Sequence, residues 1–213
     1  MGQMTVIKID RPGGVERFAK RFIEQRLKGF QKDLAVCLKI EANKKEERAF
    51  LPMLTNVIAL LELFSGLYSG KLTYRNASHL FKYLSDFAPG RYDDYRVKLL
   101  YIAFRHKLAH ASHPYVGFDT SKHDDLKSRK MRLGWSITAF PRAEAITITK
   151  LPRPRAPLWP TPWSIRVNHV VEISVYTLAD DVIKSVPGYM KALKTRPDLR
   201  NNFRACMDEF FQA

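Results

Sequence analysis

Between Gly14 and Ala111 apolar residues recur four times at the 3.6-residue period of an α-helix, and the stretches between the runs are charged or rich in helix breakers. The first run, Gly14 to Ile40, aligns Phe18, Phe22, Ile23, Leu27, Phe30, Leu34, Cys37 and Leu38. The second aligns Leu51, Leu54, Ile58, Leu61, Phe64 and Tyr68, with Pro52 suited to a first turn and Gly66 and Gly70 weakening the end. Adjacent Leu60 and Leu61 imply that this helix is covered on most sides. A shorter helix over Asn76 to Phe87 turns Leu80, Phe81 and Leu84 inward and stops at Ala88-Pro89-Gly90. The fourth starts at Asp93-Asp94, where carboxylates suit a helix N-terminus, and passes through Val97, Leu100, Tyr101, Phe104, Leu108 and Ala111 to His113-Pro114. Four such helices in about 100 residues imply an α-bundle.

The pattern then changes. Arg132 to Phe140 and Ala143 to Lys150 alternate in β-branched residues around Pro141, which predicts a β-hairpin. Leu151 to Trp163 holds five prolines and two tryptophans, too many prolines for a central strand or a helix. A short strand fits Ser164 to Val167, helical periodicity returns from Val170 to Val186, and Asp198 to Phe211 forms a last helix with Leu199, Phe203, Cys206 and Phe210 on one face. The expected fold is mainly α: a bundle of four to six helices in one domain over residues 1–213. A β-hairpin and Pro-rich loop, 132–167, interrupt it before the C-terminal helices.

Composition narrows the functional classes. Of 213 residues, 46% are apolar and 27% charged, ordinary for a globular chain and incompatible with wholesale disorder. Apolar runs break within about a dozen residues, too short to span a bilayer. The opening MGQMTVIKID carries no secretory pattern, and Val6 stands where a myristoylation signal needs Ser or Thr, so a cytoplasmic protein without membrane contact is expected. Cys37 and Cys206 are too far apart in sequence and too few to suggest a staple or a zinc knuckle. The net charge of +15 is uneven. Nine Lys and Arg residues between Leu126 and Arg166 oppose Glu144 alone, which supplies +8 of it. Such a field concentrates polyanions and makes nucleic acid a natural partner, with solubility as the plainer explanation.

Reactive side chains are densest at Arg105-His106-Lys107-Leu108-Ala109-His110-Ala111-Ser112-His113. One reading is a metal site, because His106 and His110 share a helix face with His113 a turn on. Lys107 stands where the zincin spacing needs its glutamate base, which disfavours that reading. A second is structural: cationic residues suit a helix C-terminus, and Arg105 pairs with a carboxylate. A third is phosphodiester chemistry. Metal-free RNA cleavage needs a base for the 2′-hydroxyl, an acid for the leaving oxygen and cations on the phosphorane. Histidine titrates in the right range, and arginine grips phosphate bidentately. Arg105 and His110 lie roughly 140° apart around an ideal helix, so their convergence needs long side chains, a frayed end or a second subunit.

Arg105-His106-x-x-x-His110 resembles the motif of the HEPN superfamily: Arg, then Asn, Asp or His, three residues, then His. With 18 Arg and 6 His in the chain, a bare Arg-x-x-x-x-His is expected about 0.5 times by chance, and the polar second position lowers this to about 0.06. Asp94 to Tyr101, and the apolar helix Leu51 to Leu67 with its Glu62 and Gly66, also resemble the family's lead-in to the motif. The resemblance covers about Leu51 to Asp119 well and the outer helices loosely. It implies a HEPN-like bundle, often dimeric, with two motif copies facing each other across the interface. Catalytic members are metal-independent endoribonucleases that leave a 2′,3′-cyclic phosphate. By that resemblance His110 handles protons, Arg105 holds the scissile phosphate and His106 orients or polarises. Many members are non-catalytic, and an inactive nucleic-acid-binding, nucleotide-binding or protein-interaction module is the alternative.

Lys107 and His113, outside the motif, are expected phosphate contacts, and Tyr101 a core residue. Trp159 and Trp163 lie among Arg153, Arg155 and Arg166, where rings can stack bases beside phosphate-binding cations. The competing reading is a packed proline-rich arm, swapped onto a partner. The expected partners are RNA and a second copy of the chain, with room for an antitoxin or other protein; no metal or cofactor is required.

Overall fold

The structure, a computed structural model, describes residues 9, 11–42, 50–72, 77–105, 117–138, 140–157 and 164–212. The first three expected helices and the start of the fourth appear where their local signals put them; the fourth's expected continuation through Leu108 and Ala111 lies outside the described residues. Helix α1 spans Gly14–Ala42, α2 Phe50–Ser69 and α3 Ser78–Phe87. Pro52 sits in the first turn of α2, where its missing N–H costs no helical bond. Gly70 ends that helix with φ +80°, a conformation that suits glycine, and its Cα lies so close to Asn202 that an added Cβ would stand 3.1 Å from that residue. Helix α4, Asp94–Leu99, is capped by Asp93, whose carboxylate accepts from the Arg96 N–H at 2.7 Å. It runs on into a wider π-helical turn, Leu100–Arg105.

Helix α2 is buried on most sides, with Leu54, Leu61, Phe64 and Leu67 fully enclosed. By length and composition it is also the one described helix that matches a membrane span, with 61% of its apolar window buried inside the protein. Run length alone hides this match, because a single carboxylate, Glu62, divides the helix without making it polar on average. Around α2 the core is aromatic. The Tyr83 ring lies 6.1 Å from Phe64, 5.5 Å from Phe87 and 6.0 Å from Tyr189. The Tyr83 hydroxyl bonds Ser185 Oγ at 2.7 Å, and that serine donates onward to the Val182 carbonyl.

The strands correct the expected hairpin. Strand β1 is Phe118–Asp119, β2 Arg132–Thr138, β3 Ile146–Arg155 and β4 Val167–Ser174, in the order β1-β2-β4-β3. The two segments flanking Pro141 do not pair with each other. Strand β4 lies between them, parallel to β2 and antiparallel to β3. Alternation says which face a residue takes, not which strand it joins, and the pairing is non-local. Strand β3 continues through Pro152 and Pro154 because it is an edge strand, where a missing N–H is tolerated, and its register slips between Lys150 and Arg155.

The expected short strand and the return of helix at Val170 also shift. The strand occupies 167–174, and helix α5, Val175–Thr195, begins only after Ser174, whose Oγ accepts from the Thr177 N–H. Helix α6, Pro197–Gln212, closes the fold and packs on α2, with Leu199, Phe203 and Cys206 buried. One face of the sheet joins the helical core through Leu133, Trp135, Ile137, Val171 and Ile173. By alternation the other face presents Arg132, Ser136, Asn168 and Glu172.

Candidate functional site

Of the arginine-histidine motif, Arg105 lies within the described residues; His106 and His110, with Lys107 and His113, lie outside them. Arg105 ends the π-helical turn. Its Nε donates to Glu62 Oε1 on α2 at 2.8 Å, with about a third of the arginine side chain and a quarter of the glutamate exposed. The pairing expected by the structural reading of this helix end is therefore present, and Glu62 is the carboxylate. It does not use up the arginine. Among the described residues this is the guanidinium's one hydrogen bond, and it uses one of five N–H donors.

Tyr101 sits beneath the same group, its ring centroid 5.6 Å from the guanidinium carbon. It packs against the core as expected, and its ring also contacts the buried His79 edge-on. Burial raises the Tyr101 hydroxyl above its usual pKa, opposed by Arg105 and reinforced by Glu62. A guanidinium held from one side by a carboxylate and from another by a ring has little freedom. A guanidinium so fixed is preorganised to bind an oxyanion through its remaining edge wherever that edge is open. Glu62 carried no role in the sequence reading. A carboxylate alone in an apolar helix, kept from water's full embrace, was the signal that a cation must meet it.

The basic second half divides. Trp159 and Trp163 lie outside the described residues. Arg153 and Arg155 are exposed on the edge strand β3. Arg166, exposed just before β4, lines a cavity of ≈ 450 Å³ together with Lys130, Arg132, Asp119, Asn168 and Pro154. Register explains this gathering. Asp119 opposes Arg132 across β1 and β2, and Leu133 opposes His169, which sets Arg132 beside Asn168. The Arg132 N–H donates to Asn168 Oδ1 at 2.8 Å.

The cavity's carboxylate is already engaged. Asp119 accepts from the Ser121 hydroxyl at 2.6 Å and its N–H at 3.1 Å, and lies 3.7 Å from Arg132 Nε. The Ser121 hydroxyl leads the groups that hold its pKa below the usual carboxylate range, with Arg132 and Lys122 assisting against partial desolvation. Among the described residues no carboxylate pairs with Lys130, Arg153, Arg155 or Arg166. Sequence order had grouped Arg166 with the tryptophans; sheet register joins it to Lys130 and Arg132.

Both cysteines are free thiols. Burial, with Glu209 adding to it, pushes Cys206 up to about 12, so it is not a nucleophile at neutral pH. Compared with protein-family models, curated proteins and solved structures, the chain matches none.

Proposed function

We propose that this protein is a metal-independent endoribonuclease of HEPN type, cytoplasmic and homodimeric, with Arg105 and His110 acting at the dimer interface. The observation that carries the reading is Arg105 itself. It stands at the head of the motif on a π-helical turn, an irregularity frequent at functional sites, and is oriented by Glu62 and Tyr101.

In the proposed reaction His110 removes the proton of a ribose 2′-hydroxyl. The freed oxygen attacks the adjacent phosphorus, and the bond from phosphorus to the 5′-oxygen breaks. The imidazolium so formed gives its proton to that oxygen, which leaves as a hydroxyl, while the other fragment ends in a 2′,3′-cyclic phosphate. Arg105 binds the non-bridging oxygens as charge builds on them, and His106 orients or polarises. Two chains sharing a pocket remove the 140° separation between Arg105 and His110 on one ideal helix.

The test is incubation of wild type, Arg105→Ala and His110→Ala with labelled single-stranded and structured RNA in excess EDTA, with the product ends resolved. Cyclic-phosphate ends from wild type alone support the reading. Cleavage retained by both variants, or abolished by EDTA in wild type, contradicts it.

A second reading has an observation of its own. The cations gathered at the sheet end, three against one carboxylate, suit an inactive module that holds nucleic acid without cutting it. It expects salt-dependent binding and intact RNA in every buffer.

A further inference from the structure

We propose that the sheet end lined by Lys130, Arg132 and Arg166 is a phosphodiester-binding cleft for single-stranded RNA, built from residues outside the arginine-histidine motif. The proposal rests on RNA being the ligand of this protein, and holds whether or not the motif cuts it.

Three observations converge. The first is charge balance within the cavity. Lys130, Arg132 and Arg166 bring three positive charges against Asp119, leaving +2 in a space of ≈ 450 Å³. Two of those cations, Lys130 and Arg166, have no carboxylate partner among the described residues, and the single acid is turned toward Ser121 and Arg132. Unpaired like charges held together repel one another, and an anion entering between them relieves that repulsion.

The second is rigidity. Arg132 stands on β2, Lys130 two residues before that strand and Arg166 one residue before β4. Asp119 and Arg132 are opposed in a ladder, Arg132 N–H is fixed to Asn168, and Thr120 beside them is buried with its N–H on the Met131 carbonyl at 3.0 Å. A cation on a paired strand loses less freedom on binding than one on a loop, which holds for Arg132.

The third is shape, which selects the polyanion. The cavity has the size of a small-ligand site, room for a nucleotide's phosphate and sugar rather than for the width of a duplex. Pro154 and Met131 supply apolar wall beside the cations, a match to the sugar face. Arg153 and Arg155 flank Pro154 on the exposed edge strand, and alternation turns both to the face opposite Pro154. A cleft with room for one nucleotide's phosphate and sugar fits a single strand better than a flat anionic membrane.

The test uses the full-length protein and a labelled 2′-O-methyl uridine 12-mer, which lacks the hydroxyl needed for cleavage, so binding is read independently of any nuclease activity. Affinity is measured from 50 to 200 mM salt for wild type, Lys130→Ala/Arg166→Ala, Asp119→Asn, and a control, Lys28→Ala/Lys191→Ala, that removes the same charge from exposed helix positions. The cleft double variant is expected to lose at least tenfold in affinity at 100 mM salt. Its log–log salt slope should fall by about 1.4, the value for two single-strand phosphate contacts. The control should stay within about threefold, and Asp119→Asn should bind several-fold tighter by removing the competing anion.

Equal losses in the cleft variant and the control overturn the cleft. So does absence of wild-type binding at 50 mM salt, preference for a duplex of equal length, or a loss confined to vesicles of phosphatidylserine. Cleft-dependent binding together with uncut unmodified RNA leaves this proposal standing and removes the nuclease reading alone.

Discussion

Arg105 and Arg166 are both arginines near the end of a structural element, yet the protein treats them in opposite ways. Arg105 is two-thirds buried, bonded to Glu62 and set over Tyr101. Arg166 is exposed, lines a cavity with Lys130 and Arg132, and among the described residues forms no ion pair with a carboxylate. A charge that is paired and stacked is held in place, which suits a group that must meet one phosphate in one geometry. A charge left unpaired at a rigid sheet end attracts polyanions from solution without selecting an orientation. In the proposed function the first kind serves chemistry and the second capture.

The largest expected effect falls on cleavage. Arg105→Ala and His110→Ala should each reduce the rate by about 10²–10³ or more, as loss of a transition-state contact does. Arg105→Lys sharpens the contrast: it keeps the charge but not the planar fork, and should rescue less than a tenth of the lost rate. Full rescue would reduce Arg105 to a point charge like those of the sheet end.

Stability should separate the regions next. Arg105→Ala leaves Glu62 partly buried without its cation and should cost about 1–2 kcal/mol in urea unfolding. Lys130→Ala/Arg166→Ala breaks no ion pair with a described carboxylate and should stay within about 0.5 kcal/mol of wild type. Equal losses would mean that the sheet-end cations have structural partners after all. Glu62→Gln keeps a hydrogen-bond acceptor while removing the charge. It should lower the cleavage rate about tenfold while changing RNA affinity less than twofold, since it acts through the orientation of Arg105.

The smallest effect is a pH dependence beside the cleft. Burial, with Lys150 adding to it, lowers the pKa of His169 below the ordinary histidine value, and its Nδ1 lies 2.8 Å from Asn168 Oδ1. Between the lowered folded value and the unfolded one, the unfolded chain binds more protons. Stability is therefore lost as pH falls through that window and recovered above it. Thermal unfolding should drop by about 1–2 °C more between pH 7 and pH 5 in wild type than in His169→Gln.

The helices were legible because their signals are local. Asp93 caps, Gly70 and Pro89-Gly90 stop, and adjacent Leu60 and Leu61 mark a helix enclosed by others. The sheet was not, because pairing joins residues distant in sequence. Pro141 between two alternating segments reads as a hairpin corner, yet β4 intervenes. Within β4 the apolar residues Val167, Val171 and Ile173 run directly into α5, and only the capping serine, Ser174, marks the boundary.

The site divides along the same line. Arg105 was found from a short motif, whereas its partner Glu62 lies 43 residues away and the cleft of Lys130, Arg132 and Arg166 exists only through register.

The division of labour between the two regions is tested most directly by measuring affinity and single-turnover cleavage at saturating RNA on the same two variants. Arg105→Ala should bind RNA within about threefold of wild type and fail to cut it. Lys130→Ala/Arg166→Ala should bind at least tenfold more weakly yet cut bound RNA at the wild-type rate. If each variant loses affinity and cleavage together, the two regions form one site and the account is contradicted.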